Sequence, residues 1–268
     1  MEITAFIIKR EIVIRLGFFF GIFGAMALWE WVAPRRALAT SKSLRWSNNI
    51  GIVVINSILL RIIFPPAAAG MTVFAKKHGW GFFNHVQISS ATATILSVIA
   101  MDFLIYLQHV MFHAVPAFWR IHRMHHADLD FDVTTGIRFH PIEILLSMLI
   151  KCAGIIVLGT PLLSIIIFEV TLNATSMFNH GNVRMLYGID RMLRWFVVTP
   201  DMHRVHHSAE KHETNSNFGF NLPWWDRLMG TYRNQPRMGH EGMVIGLHEF
   251  RDKKRCVMLF GMLVIPFR

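Results

Sequence analysis

Residues 16–32, 50–69, 88–106, 142–158 and 162–178 form long apolar runs, and no other feature limits so strongly what this chain can fold into. A helix needs roughly 20 such residues to cross a bilayer core. Unpaired backbone N–H and C=O groups are too costly in lipid, so runs of this length must be helical. The run at 50–69 passes through Pro65 and Pro66 and predicts one kinked span. Arg61 within it should snorkel or face protein, because an unpaired charge at mid-bilayer is expensive. The runs at 142–158 and 162–178 flank Gly159-Thr160-Pro161 and predict a helical hairpin. The expected fold class is all-α: a polytopic membrane protein of about four to five spanning helices. The 53% hydrophobic and 16% charged composition agrees. No linker composition or fixed repeat divides residues 1–268, which predicts one integrated domain.

Arg10 and Ala37-Leu38-Ala39 around the first run resemble the flanks of a signal peptide. Glu2, Glu11 and Arg35-Arg36 fit badly with cleavage, so that run is expected to remain as a span. The run at 257–267 is too short to cross and follows basic residues 251–255, so it should lie in the interface or pack on the domain. Lysine plus arginine number 27 against 17 acids, a net charge of +10. Such a balance suits nucleic acid or an anionic membrane face, and the apolar runs decide for the membrane, with no nucleic-acid partner expected. If the third run delivers His109 to one face and the hairpin goes out and back, residues 109–141 and 179–250 share that face. Arg120, Arg123, Arg138, Arg184, Arg191, Arg194 and Arg204 there predict the cytoplasmic side. Around the first run, Lys9, Arg10 and Arg15 balance Arg35, Arg36, Lys42 and Arg45 and set no orientation.

The two cysteines, Cys152 and Cys256, offer neither a disulfide framework nor a CxxC metal site. Histidine is plentiful and patterned: His109-x3-His113, His122-x2-His125-His126 and His203-x2-His206-His207. Residues three and four apart share a helix face, so each cluster can aim two imidazoles at one point. A lone histidine near an interface is usually a satisfied polar side chain. Eight in three clusters would desolvate many polar groups at one membrane face, which a metal satisfies together. A single zinc takes four ligands, so eight suit two metals. Imidazole by itself leaves iron, copper, nickel and zinc open. The Glu-x-x-His pattern of soluble di-iron bundles is missing, so any two-metal site here is histidine-rich. His180 and His140 stand alone as weaker candidate ligands. Asp102, Asp128, Asp132, Asp201 and Glu143 are candidates to orient ligating rings by accepting their second N–H. Asp102 could instead pair with Arg61.

These clusters resemble the fatty acid hydroxylase/sterol desaturase superfamily, membrane di-iron enzymes marked by HxxxH, HxxHH and HxxHH boxes. The likeness runs over about residues 97–235. It includes Asp102-x3-Tyr106-x2-His109-x3-His113, Trp119-Arg120-x-His122-x2-His125-His126-x-Asp128 and Thr134-Thr135-x2-Arg138-Phe139-His140-Pro141-x-Glu143. Downstream follow Asn179-His180-x-Asn182, Thr199-Pro200-x2-His203-x2-His206-His207, Asn217-Phe218-Gly219 and Trp225 to Tyr232. Val110 departs from the arginine that relatives often carry there. Ser176 stands where some lipid hydroxylases have an additional histidine, which bears on the ligand number of the second metal. The resemblance implies O2-dependent hydroxylation or desaturation of a lipid, with two iron ions as cofactor and zinc able to replace them in a purified sample. Side chains alone cannot activate O2 for attack on an alkyl chain. No glycine-rich nucleotide motif or haem attachment motif appears, so electrons should come from an external ferredoxin, reductase or cytochrome-type protein. The lipid should enter laterally between the spans.

Two other classes compete. A non-catalytic metal-binding or metal-transport protein would need polar residues along the spans, where Arg61, Asp102 and Lys151 are few and scattered. A bis-histidine haem protein needs single histidines on paired spanning helices, whereas these cluster outside the spans.

Overall fold

The computed structural model describes residues 2–65 and 67–268. Pro66, the second residue of the expected kink, lies outside them. The helices are α1 (Glu2–Lys9), α2 (Glu11–Val32), α3 (Lys42–Ile63), α4 (Ala67–Lys77), α5 (Ser90–Ala114), α6 (Pro116–His126), α7 (Pro141–Leu158) and α8 (Leu162–Asn179). Seven short ones follow: α9 (Tyr187–Leu193), α10 (Pro200–His206), α11 (Lys211–Thr214), α12 (Trp224–Leu228), α13 (Gly239–Gly242), α14 (Lys253–Val257) and α15 (Leu259–Val264). Among the described residues there is no strand, and the fold is all-helical as expected. Five segments are long and apolar enough to cross a membrane: α2, α3 with α4, α5, α7 and α8.

Local chemistry sets the ends. Ser41 and Ser89 cap α3 and α5 by accepting from the N–H groups of Leu44 and Thr92. Pro116 and Pro141 occupy the first turns of α6 and α7, where a missing N–H costs nothing. The hairpin turns at Gly159, whose φ of 67° is left-handed, and restarts after Pro161.

The spans bury little against one another and present apolar side chains outward. Of α2 only Met26 and Glu30 are buried, while Ile12, Phe18, Phe20 and Leu28 are exposed. That is a lipid-facing surface, since water would not tolerate so large an apolar patch on a monomer. The inner faces of α5, α7 and α8 meet through Met101, Ile105, Met148, Cys152, Ile155, Ile165 and Phe168.

Chain direction alternates, so one end of every span meets a single cap built from α6, α9 to α15 and the connecting loops. The Glu30 carboxylate near the end of α2 accepts from the cap N–H groups of Val133 and Asn182. Arg45 at the start of α3 pairs with Asp128 and Asp132. Residues 109–141 and 179–250 therefore share a side, and the start of α2 lies at the opposite one. The C-terminal run packs on the domain. Cys256, Val257, Met262 and Ile265 are buried with Ile52 and Met124, and Arg120 and Arg123 donate to the carbonyls of Pro266 and Ile265.

Candidate metal centre

Each histidine box delivers its rings by helical spacing. His109 and His113 lie one turn apart at the end of α5, His122, His125 and His126 close α6, and His203, His206 and His207 close α10. His180 follows the last residue of α8. These nine side chains form two groups, His109, His113, His122, His126 and His206 in one, His125, His180, His203 and His207 in the other. Within each group one ring nitrogen per residue lies within 4.8 Å of all the others. Eight of the nine are buried and His113 is half-buried. The pairs His122/His126 and His203/His207 share a face and serve different groups. Their neighbours, His125 and His206, point the other way and cross over.

Hydrogen bonds determine which nitrogen is free. His109 donates from Nδ1 to the Phe218 carbonyl (2.7 Å), His206 to Ser216 (2.7 Å), His125 to Arg138 (3.0 Å) and His180 to Ser176 (2.7 Å). His122 donates from Nδ1 to Glu143 Oε1 at 2.7 Å. Carbonyl and carboxylate oxygens only accept, so in the neutral ring each Nδ1 carries the hydrogen and each Nε2 presents a lone pair. Those lone pairs face each other: His109 and His122 Nε2 are 3.1 Å apart, and His180 Nε2 is 3.2 Å from that of His125. Neither partner has a proton to share, so the contacts are repulsive unless a cation stands between them. Ligands at about 2.1 Å from one ion are about 3 Å from each other, which is the spacing found. The donor set fits a metal ion in each group.

Burial, followed by the neighbouring imidazoles, pushes His125, His126, His203, His206 and His207 well below the ordinary histidine value. His180 is pushed down to about 3, chiefly by burial. Burial thus favours the neutral, metal-binding form of these six rings.

The other expected residues are placed differently. Glu143 does orient a clustered ring. His140 lies outside both groups: its Nδ1 accepts from the Ile142 N–H as the cap of α7, and its Nε2 lies 3.2 Å from the Leu263 carbonyl. Asp102 accepts from the Trp225 indole (2.8 Å) and the Leu222 N–H (3.3 Å) rather than pairing with Arg61 or a histidine. Asp128 and Asp132 bind Arg45 at 2.7 and 2.5 Å, all three fully buried. Burial would raise the Asp128 carboxyl, but Arg45 and Arg138 beside it hold it at about 2. Asp201 pairs with Arg204 and lies 3.8 Å from His240. Most orienting acceptors are backbone carbonyls, which residue type does not signal. Arg45 was also missed, although Arg45, Asn49 and Asn56 recur on one face of α3 and are all buried.

A cavity of about 320 Å³ opens between α2, α3, α5, α7 and α8. Phe19, Leu60, Ile105, Phe112 and Met148 line its apolar part, and it reaches His109, His122 and Glu143 at the cap. On the other side of the first group, His113, Trp119 and Asn215 line a pocket of about 440 Å³ among cap residues.

Residues 94–231 match the fatty acid hydroxylase family, and the chain belongs to that family. Its members are non-haem iron proteins. The chain is 32% identical to ornithine lipid hydroxylase OlsE of Rhizobium tropici, over 65% of this chain and 51% of that protein. It is 24% identical to alkylglycerol monooxygenase of Xenopus tropicalis, over 73% of this chain and 44% of the relative. Against alkylglycerol monooxygenase of Homo sapiens identity is 23%, over 56% of this chain and 32% of the relative. The chain thus spans about half the length, or less, of the curated relatives it matches. No solved structure gives a significant match.

Proposed function

We propose that this protein is a membrane-bound non-haem di-iron oxygenase that hydroxylates or desaturates a lipid C–H bond. It uses O2 and electrons from an external ferredoxin, reductase or cytochrome-type donor. The observation that carries this reading is the pair of buried imidazole groups, the first of which reaches a largely apolar cavity between spans through His109 and His122. The relatives named for an ornithine lipid and for alkylglycerols support a lipid substrate. The Arg-rich cap supports a cytoplasmic location.

His109, His113, His122, His126 and His206 would hold one iron, and His125, His180, His203 and His207 the other. The iron pair supplies the redox chemistry with O2 that amino-acid side chains lack. The chain supplies position and dryness. Glu143 holds the proton at His122 Nδ1 and keeps Nε2 free, and the carbonyls of Phe218, Ser216, Arg138 and Ser176 do the same for four other rings. The apolar wall orients an alkyl chain and excludes water, while the pocket beside His113 offers a separate, cap-side approach for small polar reactants.

Detergent-purified protein from iron-rich medium, beside a His125→Ala plus His206→Ala variant, tests this, because the variant removes one ring from each group. About two irons per chain without a haem band, lost in the variant, with lipid-stimulated O2 uptake by the reduced protein, is the expected result. Metal retained in the variant overturns the ligand assignment. Iron-loaded protein inert to O2 and reductant overturns the oxygenase and leaves a metal-handling protein.

A further inference from the structure

The cavity wall beside the first histidine group contains three acceptors without a donor: Gln108 Oε1, Asn56 Oδ1 and Glu143 Oε2. They belong to side chains from three different helices, α5, α3 and α7, and all three side chains line the cavity. The opposite functions of each are already used. Gln108 Nε2 donates to Ser147 Oγ at 2.9 Å, Asn56 Nδ2 donates to the Phe139 carbonyl at 2.9 Å, and Glu143 Oε1 holds His122. The Phe139 carbonyl only accepts and so sets the Asn56 amide, the Ser147 hydroxyl accepts from Gln108 as it stands, and the second oxygens are left over. Glu143 and Asn56 are 3% and 7% exposed, and no protein donor reaches the three oxygens. Glu143 sits on the Nδ1 side of the His122 ring, away from Nε2, so its spare oxygen is not a ligand for the first group.

Arg15, Lys151 and Glu169, the other acidic and basic side chains of the cavity, pair with one another. Arg15 and Lys151 each pair with one oxygen of Glu169, at 2.5 and 2.6 Å, roughly 12 Å further along α7 from Glu143 at 1.5 Å per residue. Unfilled acceptors therefore gather at the metal end, and the wall beyond is mostly apolar.

We infer that the cavity selects a lipid whose polar head donates hydrogen bonds, an amide, amine or hydroxyl, and seats that head against Gln108, Asn56 and Glu143. This rests on the proposed lipid chemistry and narrows its substrate class. The head lies at the cap end, where a lipid of the same leaflet carries it, and the tail follows the apolar wall toward the bilayer. The C–H bonds nearest the histidine groups are then those close to the head rather than those of the distal tail.

The test is a binding comparison on the purified protein in detergent, reading displacement of a fluorescent acyl probe and correcting for micelle partitioning. N-dodecanoyl-2-aminoethanol, with an amide N–H and a hydroxyl, competes against its N-methyl, O-methyl derivative, which has the same chain and no donor. The donor-bearing amphiphile should bind at least about tenfold tighter, the return on one hydrogen bond to an otherwise unfilled buried acceptor. In Glu143→Gln the amide oxygen stays on His122 and the NH2 replaces the spare acceptor, so the preference should fall toward one. Gln108→Leu should also reduce it. Equal affinities in the wild type overturn the inference without needing a variant, as does a preference unchanged in both variants. The readout uses no O2, iron cycling or reductant. Protein that keeps the preference but is inert to O2 loses the oxygenase reading alone, and protein that oxidises lipid with no head preference loses only this inference.

Discussion

His125 and His126 are adjacent in the chain yet serve different groups, as do His206 and His207. A histidine pair on a helix diverges by about 100°, so a doubled histidine feeds two sites where a spaced pair feeds one. The third histidine of each box, one turn away, completes the pair for its own site. Ser176 serves the second group without being a ligand, since its carbonyl orients His180 and its hydroxyl donates to the Gly136 carbonyl at 2.7 Å. Gly136 is required there, because a Cβ would lie 2.3 Å from the Ser176 oxygen. His180 and His140 should separate cleanly. His180→Ala is expected to lower metal content toward half by removing a ring of the four-membered group. His140→Ala should leave metal content unchanged and cost about 1 kcal/mol of stability, the worth of a helix cap. Metal analysis and thermal unfolding on the same samples check both, and metal lost from His140→Ala would contradict the placement of that ring.

At the level of elements, α3 does more than cross the membrane. Its buried face carries Arg45, Asn49, Ile52 and Asn56, and Arg45 joins the span to the cap through Asp128 and Asp132. Removing one partner of a buried charge network leaves the others unpaired, so Arg45→Ala should destabilise by about 3–5 kcal/mol, seen as a lower midpoint of thermal unfolding in detergent. A change under about 1 kcal/mol would show that water replaces the guanidinium and that the pairs are not a structural tie. The five apolar spans, the hairpin and the sharing of one side by both histidine-bearing segments were legible in the sequence, because lipid imposes length and backbone satisfaction locally. The polar stripe of α3 was legible in principle through its helical spacing. Its partners were not, since Asp128 and Asp132 lie far along the chain from Arg45.

For the whole molecule, the spans and the cap depend on the metal groups differently. Ions bound as proposed would cancel the repulsion among the nine clustered rings, and that binding free energy would contribute to the folding of the cap. Chelation should therefore expose the cap segments, residues 109–141 and 179–250, to protease while the membrane-embedded helices stay protected, as read by fragment mapping. An unchanged digest would mean that packing alone holds the cap. The alternating spans also place Lys211 on the cap and His78 at the opposite face, both exposed, while native Cys152 and Cys256 are buried. In intact cells a membrane-impermeant thiol reagent should label His78→Cys and reach Lys211→Cys only after permeabilisation. The reverse result would put the cap outside the cytoplasm, and labelling of both from one side would contradict the alternation of the spans.

The sequence by itself determined the helical membrane class, the shared face of the histidine boxes and the supply of clustered imidazoles that could hold metal. Each of these follows from periodicity and from the cost of unpaired polar groups within a single segment. Only the tertiary structure decided which rings come together, that His180 joins them and His140 caps a helix, that backbone carbonyls set the tautomers, and where acceptors stand unfilled in the cavity. Those outcomes depend on distances between residues far apart in the chain, such as His109 and Phe218 or Asn56 and Glu143, which no local pattern encodes.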